Sequence, residues 1–137
     1  RYAGTRKFFV VDNGMRNAVS FQFSGDWGRM LKNLVFLELK RRGLSVYFWR
    51  EDDECDFLVE KKGRIVEAIQ CSCMIDEKNR EREISGLLAA MDRWKIDSGM
   101  IITYNQDEEL ESSGSRIVRL IPAWKWLLEN LPTSIQS

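Results

Sequence analysis

Three oxygen-bearing side chains stand at positions where a buried surface should be apolar: Glu38, Asp56 and Gln70. Asp56 and Gln70 lie on two successive strand-like runs, and Glu38 lies in the middle of the apolar arc of a helical pattern. Two carboxylates and an amide oxygen suit a hard divalent cation such as magnesium or manganese. Such a cation activates water and stabilises the charge that develops when a phosphodiester is hydrolysed. If the three side chains meet, they predict a metal-dependent phosphodiesterase site.

Whether Asp56 and Gln70 meet depends on the hairpin loop between their strands. Residues 54–73 read ECDFLVEKKGRIVEAIQCSC, two apolar-rich runs joined by a KKG turn. With a three-residue loop, whose glycine takes a positive φ, Glu60 pairs with Arg64. Asp56 is then diagonal to Gln70 on the same face of the sheet. A two-residue loop shifts the register by one and puts the two side chains on opposite faces, so the candidate site depends on which loop forms.

A helical pattern over residues 27–42 carries the third candidate. Gly43 follows it, at the position where glycine commonly ends a helix. Its apolar side chains form one broad arc at 100° per residue: Met30, Leu31, Leu34, Val35, Leu37 and Leu39. Glu38 lies in the middle of this arc, where a carboxylate must be paired or bind a cation. Two alternatives are open, because Glu38 either points into a shared cleft or pairs with Arg41 or Arg42 one turn further on.

Composition restricts the classes of function. A length of 137 residues predicts one domain over 1–137, and the first residue is Arg1, so we expect a piece of a larger protein. The 21 basic and 21 acidic side chains cancel, so any nucleic-acid binding must come from local patches. The absence of histidine excludes histidine-dependent catalytic triads and histidine-ligated zinc sites.

The cysteines and the apolar runs indicate the compartment. Three cysteines, an odd number with two of them on one strand face, indicate reduced thiols and a cytoplasmic protein. We expect these cysteines to be small core residues. No apolar run approaches the roughly 18 residues of a membrane span, so no membrane partner is expected.

The order of the predicted elements indicates an α/β fold with a mixed central sheet flanked by helices. Strands are predicted at 8–11, at 45–50, twice within 54–73, at 99–104 and at 116–121. Helices are predicted at 27–42, at 78–95 and from Pro122 onward, and the acidic stretch after residue 104 is predicted to be a loop. The last helix has a predicted core stripe that consists of Trp124, Leu127, Leu128 and Leu131.

This pattern resembles the PD-(D/E)XK restriction-endonuclease-like superfamily, which has an αβββαβ core. The shared features are a helix with a glutamate, a β-hairpin with an aspartate and then a (Glu/Gln)-x-Lys motif, and a further helix and strand. The segments VVDNG, LKNLVFLELKRRG, YFWR, ECDFLVE, IQCS, REI and IPAWKWLL look more closely like the carboxy-terminal domain of archaeal and bacterial AAA-type ATPases of unassigned function. The resemblance extends over nearly the whole chain. It implies an ATPase portion as partner, with ATP bound outside these residues.

The resemblance also assigns a role to each candidate residue. It makes Glu38 the helix acid, Asp56 the metal-binding aspartate and Gln70 the (Glu/Gln) position, with magnesium or manganese as the implied cofactor. Ser72 stands at the position of the lysine that would orient water and stabilise the transition state. A hydroxyl group supplies no positive charge, and the loss of such a charge typically costs orders of magnitude in rate.

The serine at position 72 therefore decides which functional hypothesis we favour. The cations nearest in sequence that could replace the lysine are Lys78, Arg80 and Arg82. We favour a degenerate or weakly active nuclease-like domain that serves as a nucleic-acid-binding or interaction module of an AAA-type ATPase. The alternative is an active DNA endonuclease that uses magnesium or manganese at the three candidate ligands. A third hypothesis is a packing domain in which arginines alone engage the two carboxylates.

Overall fold

The described part of the chain folds into a six-stranded sheet with helices on both faces. A computed structural model describes residues 25–112 and 116–129. The elements in chain order are α1 (Gly25–Arg41), β1 (Ser45–Arg50), β2 (Glu54–Lys61), β3 (Arg64–Cys71), α2 (Arg80–Trp94), β4 (Ser98–Thr103), β5 (Glu108–Ser112), β6 (Arg116–Pro122) and α3 (Ala123–Glu129). The strand predicted at residues 8–11 lies outside the described residues.

The strands follow the order β1-β2-β3-β4-β6-β5 across the sheet. The central strands β3, β4 and β6 run parallel, and the remaining neighbours pair antiparallel. Helix α2 provides the crossover that two parallel neighbours, β3 and β4, require. The predicted α/β class with a mixed central sheet is confirmed.

Strand β5 forms where the sequence predicts a loop. Its segment, EELES, is rich in glutamate, which is depleted in strands. It lies at an edge of the sheet, pairs with β6, and leaves Glu108 and Glu109 exposed. Charged side chains are typical of edge strands because they discourage pairing with other chains. The pairing with β6 therefore overrides a weak local preference.

Of the two loop lengths considered, the hairpin between β2 and β3 has the two-residue loop, not the three-residue loop that the candidate site assumed. Lys62 and Gly63 form this loop, with φ values of 54° and 78°. Positive φ at both positions is typical of a type I′ turn, whose twist matches that of the flanking strands. Lys61 consequently pairs with Arg64, and the pairing of Arg64 with Glu60 that a three-residue loop would give does not form.

A β-bulge further along the hairpin reverses the effect of the shorter loop. The register shifts a second time next to Val59, and Phe57 then lies opposite Ile69. The loop and the bulge each move the register by one residue, so their effects on strand parity cancel. Beyond Phe57 and Ile69 the regular pairing stops, and the register of β2 against β1 shifts as well, between Tyr47 and Trp49. Asp56 therefore lies where the strand is irregular, and the register does not pair it with Gln70.

Each face of the sheet is covered by its own apolar core. The core under α2 contains helix residues Leu87, Ala90 and Met91 and strand residues Leu58, Ala68, Ile101 and Leu120. The core under α1 and α3 contains Leu31, Val35, Leu39 and Trp126 with strand residues Phe57, Val59, Ile69, Ile102 and Ile121. None of the helices in the described part of the chain is long and apolar enough to cross a membrane.

The sheet covers only half of the apolar arc of α1. The buried members of the arc are Leu31, Val35 and Leu39. The exposed members are Met30, Leu34 and Leu37. At 100° per residue the two sets are centred roughly 130° apart around the helix axis. Glu38 lies at the boundary between the buried and exposed halves.

Helix α3 turns a different side to the core than the predicted stripe. Pro122 ends β6, and the helix begins at Ala123. Trp126 is buried at 2% exposure, whereas Trp124 and Leu128 are 58% and 51% exposed. The prediction that Trp124 and Leu128 enter the core is wrong. A helix of seven residues is too short for periodicity to define its buried side.

Candidate functional site

Side chains complete the β2–β3 ladder where its regular pairing ends, at Phe57 and Ile69. Asp56 donates its backbone N–H to Oε1 of Gln70 at 2.8 Å. Cys71 donates its backbone N–H to Oδ2 of Asp56 at 2.9 Å. Buried backbone donors need acceptors, and these two receive them from side chains. The structure thus brings Asp56 and Gln70 together in a role that supports the strands.

The amide nitrogen of Gln70 binds two further segments of backbone. Nε2 donates to the carbonyl oxygen of Glu54 at 3.4 Å and to that of Glu83 at 3.2 Å. Gln70 is 5% exposed. Both of its N–H donors and one lone pair of its oxygen are therefore used inside the protein. This side chain ties β2, β3 and α2 together at one point.

Helix α2 approaches this point closely because Gly86 has no side chain. A Cβ atom at position 86 would lie 2.4 Å from the carbonyl oxygen of Glu54 and 3.0 Å from Nε2 of Gln70. Gly86 follows Glu83 by three residues, so the two lie on the same side of the helix. The glycine therefore lets the Glu83 carbonyl come within hydrogen-bonding distance of Gln70.

A lysine on α1 faces the other oxygen of the Asp56 carboxylate. Nζ of Lys32 is 3.3 Å from Oδ1 of Asp56, and the Asp56 side chain is 20% exposed. Lys32 was not identified from the sequence. It precedes the buried Val35 by three residues, which places it on the inner side of α1. That spacing is the signal that could have found it.

Glu38 is paired with two arginines of its own helix. Arg41 donates from Nε and Nη2 to the two carboxylate oxygens at 2.9 and 2.7 Å, and Arg42 donates from Nε at 2.8 Å. The pKa of Glu38 is lowered to about 2, chiefly by the hydrogen bonds from Arg41 and further by the hydrogen bond from Arg42. The predicted alternative, pairing with these arginines, is confirmed. Glu38 lies six residues beyond Lys32, about 9 Å further along the axis of α1, and it does not join Asp56.

The hydroxyl group of Ser72 is engaged in the loop that follows β3. Its Oγ donates to the carbonyl oxygen of Met74 at 3.3 Å. The backbone N–H of Ser72 donates to the carbonyl oxygen of Ile102 on β4. Ser72 therefore has local structural partners at the position where the resemblance expects a lysine.

The cations suggested as replacements for that lysine lie near the start of α2. Lys78 and Arg80 are exposed. Arg82 pairs with the carboxylate of its neighbour in the chain, with 3.2 Å between the nearest atoms. The lysine that reaches Asp56 comes from α1 instead, and it is Lys32.

Glu83 is a second carboxylate near Asp56 that was not identified from the sequence. Its side chain is 16% exposed and pairs with Arg82. Burial raises the pKa of Glu83 and the charge of Asp56 raises it further, while Arg82 and Lys32 act in the opposite direction. Glu83 precedes the buried Gly86 by three residues. That helical spacing was the signal for its position.

The three predicted ligands do not direct free oxygens at a common point. Both oxygens of Glu38 accept from arginines, and those of Asp56 face a backbone N–H and Lys32. Within residues 25–112 and 116–129, no three aspartate, glutamate or cysteine side chains come together as metal ligands would. Magnesium and manganese require several oxygens around one centre. In this arrangement the residues do not fit such a cation.

Two cysteines beside the ladder end are small core residues, as predicted. Cys55 and Cys71 are buried and have free thiols. Burial raises the pKa of Cys55 to about 12 and also raises the pKa of Cys71. A thiol that stays protonated is a poor nucleophile, so these residues contribute packing.

A separate cleft of about 420 Å³ lies on the α1 and α3 side of the sheet. The guanidinium of Arg42 stacks over the Trp126 ring, 4.3 Å from its centroid. Glu67 and Glu129 line the cleft together with Lys61. Burial raises the pKa of Glu67. Because the lining carries both signs of charge, the cleft is not a basic groove of the kind that binds phosphates.

Gly86→Ala should destabilise the fold by about 2 kcal/mol, because the added Cβ forces α2 away from Gln70. Gly28→Ala on α1 is the matched control, since a Cβ there meets nothing within 4 Å. The control should stabilise the protein by up to about 1 kcal/mol, as alanine favours a helix. Urea unfolding measures both changes. Equal stabilities of the two variants would contradict the close approach of α2.

Glu38→Gln should remove part of the acid sensitivity of the protein. The pKa of Glu38 is lower in the folded state than its ordinary value of 4.5, so its stabilising effect is present above that pH and is lost as the pH falls toward 2. The effect should be about 1 kcal/mol because solvent screens the exposed Arg41. Unfolding curves at pH 7 and at low pH measure it, with Glu77→Gln, at an exposed turn residue, as control. An unchanged pH dependence in Glu38→Gln would contradict the pairing.

Two relatives of known sequence are similar to most of this chain. An uncharacterized protein of Methanocaldococcus jannaschii is 40% identical over 133 residues, which cover 89% of this chain and 29% of that protein. An uncharacterized protein of Haemophilus influenzae is 32% identical over 124 residues, which cover 90% of this chain and 29% of that protein. The chain therefore spans less than a third of the length of either relative.

A family model also matches most of the chain. No solved structure matches the chain. The model of the family described as a domain of unknown function, DUF4143, matches residues 27–126. This range runs from α1 into α3 and includes the whole sheet. The chain belongs to the DUF4143 family.

Proposed function

We propose that this chain is a degenerate nuclease-like domain that serves as an interaction module of a larger AAA-type ATPase. The engagement of Gln70 is the observation that carries this proposal. Its amide binds the backbone of Asp56, Glu54 and Glu83. An amide used in this way positions two strands and a helix, and it leaves one oxygen lone pair for any other ligand.

The charges around the ladder end support the same conclusion. Lys32 already neutralises Asp56, and two arginines neutralise Glu38. A divalent cation at Asp56 would have to displace Lys32 and the backbone N–H of Cys71. Ser72 supplies no positive charge at the lysine position, and Lys32, the cation beside Asp56, is paired with its carboxylate. Loss of catalysis with retention of the fold is consistent with each of these contacts.

The ATPase part of the proposal rests on the resemblance in sequence and on the length of the two relatives. The segments LKNLVFLELKRRG, ECDFLVE and IPAWKWLL look like the carboxy-terminal domain of AAA-type ATPases. The matched region is 29% of each relative, so most of the relatives' length lies in other segments. A domain joined to a larger polypeptide commonly contacts it through an interface of moderate size.

A protein partner is better supported than a nucleic acid. Net charge is zero. Residues 40–42 form a basic run, KRR. Arg41 and Arg42 of this run already bind Glu38. The cleft beside Arg42 includes the carboxylates of Glu67 and Glu129. Nucleic-acid binding depends on cations that are available to phosphates, and these cations have carboxylate neighbours.

The test uses the longer polypeptide, with and without residues 25–129. The rate of ATP hydrolysis should differ by about fivefold or more between the two, as expected for coupled domains. With magnesium or manganese, the intact polypeptide should form no more cleaved DNA than its Asp56→Asn variant. This variant keeps an acceptor for the Cys71 N–H but removes the charge that a cation would need.

Two results would contradict the proposal. Cation-dependent DNA cleavage that Asp56→Asn abolishes would instead support the alternative of an active endonuclease. Equal rates of ATP hydrolysis with and without residues 25–129 would show that the domain is not a module of the ATPase. The two readouts are independent, so each part of the proposal can fail separately.

A further inference from the structure

We propose that the cleft beside Arg42 binds a small zwitterionic molecule, an α-amino acid with an apolar side chain. The cleft has a volume of about 420 Å³, and volumes of about 300 to 1,000 Å³ are typical of small-molecule sites. Two of its charged side chains, Lys61 and Glu67, carry the inference. Neither of them contacts the Gln70 amide, so the inference does not depend on the proposed function.

A β-bulge turns Glu67 toward the cleft. Two successive residues of β2, Val59 and Glu60, pair with Glu67 and Ile65 of β3, so Val66 is an extra residue on β3. Without the bulge, Glu67 would share a face with Ile65, which packs against the core under α2. With the bulge, Glu67 lies on the face that α1 and α3 cover. Bulges that redirect a side chain are over-represented next to functional sites.

The carboxylate of Glu67 is half-buried and lacks a bonded cation. Burial raises its pKa, and the charges of Lys61 and Arg42 act in the opposite direction. Within residues 25–112 and 116–129, however, neither cation comes close enough to Glu67 to form an ion pair. A carboxylate removed from water is unfavourable unless a cation or hydrogen-bond donor meets it. A ligand ammonium group in the cleft would meet this need.

The positive side of the cleft also lacks a partner. Lys61 is exposed and, in the described part of the chain, forms no ion pair. Arg42 binds Glu38 through Nε, but its Nη2 is buried and has no acceptor among the described residues. Buried donors without an acceptor are rare in folded proteins. A ligand carboxylate would bring acceptor oxygens into the cleft that these two cations line.

The balance of charge favours a ligand with one charge of each sign. The other charged groups of the lining are already in ion pairs, Arg42 with Glu38 and Glu129 with Arg119. One ammonium and one carboxylate, those of Lys61 and Glu67, are left. A zwitterion complements both. A phosphate ester would meet the charge of Glu67, and a metal cation would meet the charge of Lys61, so each is disfavoured by a like charge.

The apolar part of the lining indicates the side chain of the ligand. It consists of Leu44, Met100 and Trp126. Leu44 and Met100 are partly buried at the margin of the core under α1 and α3. An aliphatic or aromatic side chain would remove apolar surface from water against these residues. A charged side chain would find no partner there.

Saturation-transfer NMR with the 137-residue chain tests the inference. The probe is an equimolar mixture of leucine, isoleucine, valine, methionine and phenylalanine, each at millimolar concentration. At least one of the five should receive saturation. Its affinity should fall by about tenfold or more in the corresponding amine without the carboxylate and in the corresponding acid without the ammonium group, because each loses a charge-assisted hydrogen bond.

Two variants assign the binding to the cleft. Glu67→Gln and Lys61→Gln should each weaken binding by about tenfold or more. The matched controls, Glu60→Gln and Lys62→Gln, replace neighbouring residues that do not line the cleft, and they should leave the affinity unchanged. Urea unfolding checks that each variant folds. Glu67→Gln should fold normally, since it removes a half-buried charge.

Three outcomes would overturn the inference. Absence of saturation transfer to all five amino acids would show that the cleft does not bind this class of ligand. Equal affinity for the amine or the acid would show that a zwitterion is not required. Equal weakening in the cleft variants and in their controls would place the binding elsewhere. ATP hydrolysis that still depends on residues 25–129 would, in each case, leave the proposed function intact.

Discussion

The hydrogen bonds of the Gln70 side chain hold the structure together at the point where its elements diverge. At this end of the hairpin the backbone ladder between β2 and β3 stops, and β3 continues beside β4. The Gln70 amide accepts from the backbone N–H of Asp56 and donates to the carbonyls of Glu54 and Glu83, so it bonds both β2 and α2. Each buried polar group left without its hydrogen bond would lower the free energy of unfolding by about 1 to 3 kcal/mol. The fold therefore requires an amide at position 70.

The same constraint explains why polar residues stand where apolar ones were expected. Asp56 accepts from the Cys71 backbone, and Lys32 from the opposite helix balances its charge. Glu38 lies at the limit of the buried half of α1, where two arginines can reach it. Each oxygen that resembles a metal ligand therefore has a protein partner. What is left for function is the surface, which includes the cleft beside Arg42.

The sequence predicts the fold better than it predicts the contacts of the site. Periodicity is reliable for long amphipathic helices and for β1, whose predicted bounds agree with the structure. It cannot place β5, since an acidic edge strand depends on pairing with a distant segment. It also misjudges the seven-residue α3, in which Trp126 replaces Trp124 in the core.

The candidate site shows a second limit of sequence analysis. The candidate site assumed a three-residue loop, whereas the loop has two residues and a bulge that no local signal indicated shifts the register again. Asp56 and Gln70 meet through side-chain hydrogen bonds to backbone N–H groups, which periodicity does not predict. Lys32 and Glu83 were overlooked because charged residues on a helix are usually solvated. Their spacing from Val35 and Gly86 carries the information, but it becomes decisive only once the helices are docked.

The most direct test of the structural role of Gln70 is the stability of Gln70→Glu, measured by urea unfolding with and without magnesium. The substitution keeps the size of the side chain and replaces two N–H donors with a carboxylate oxygen that faces the carbonyls of Glu54 and Glu83. We expect a loss of about 3 kcal/mol or more at pH 7 that magnesium does not restore. Unchanged stability would contradict the structural role of the amide. Stabilisation of the variant by millimolar magnesium would show that position 70 faces a cation site and would also contradict this account.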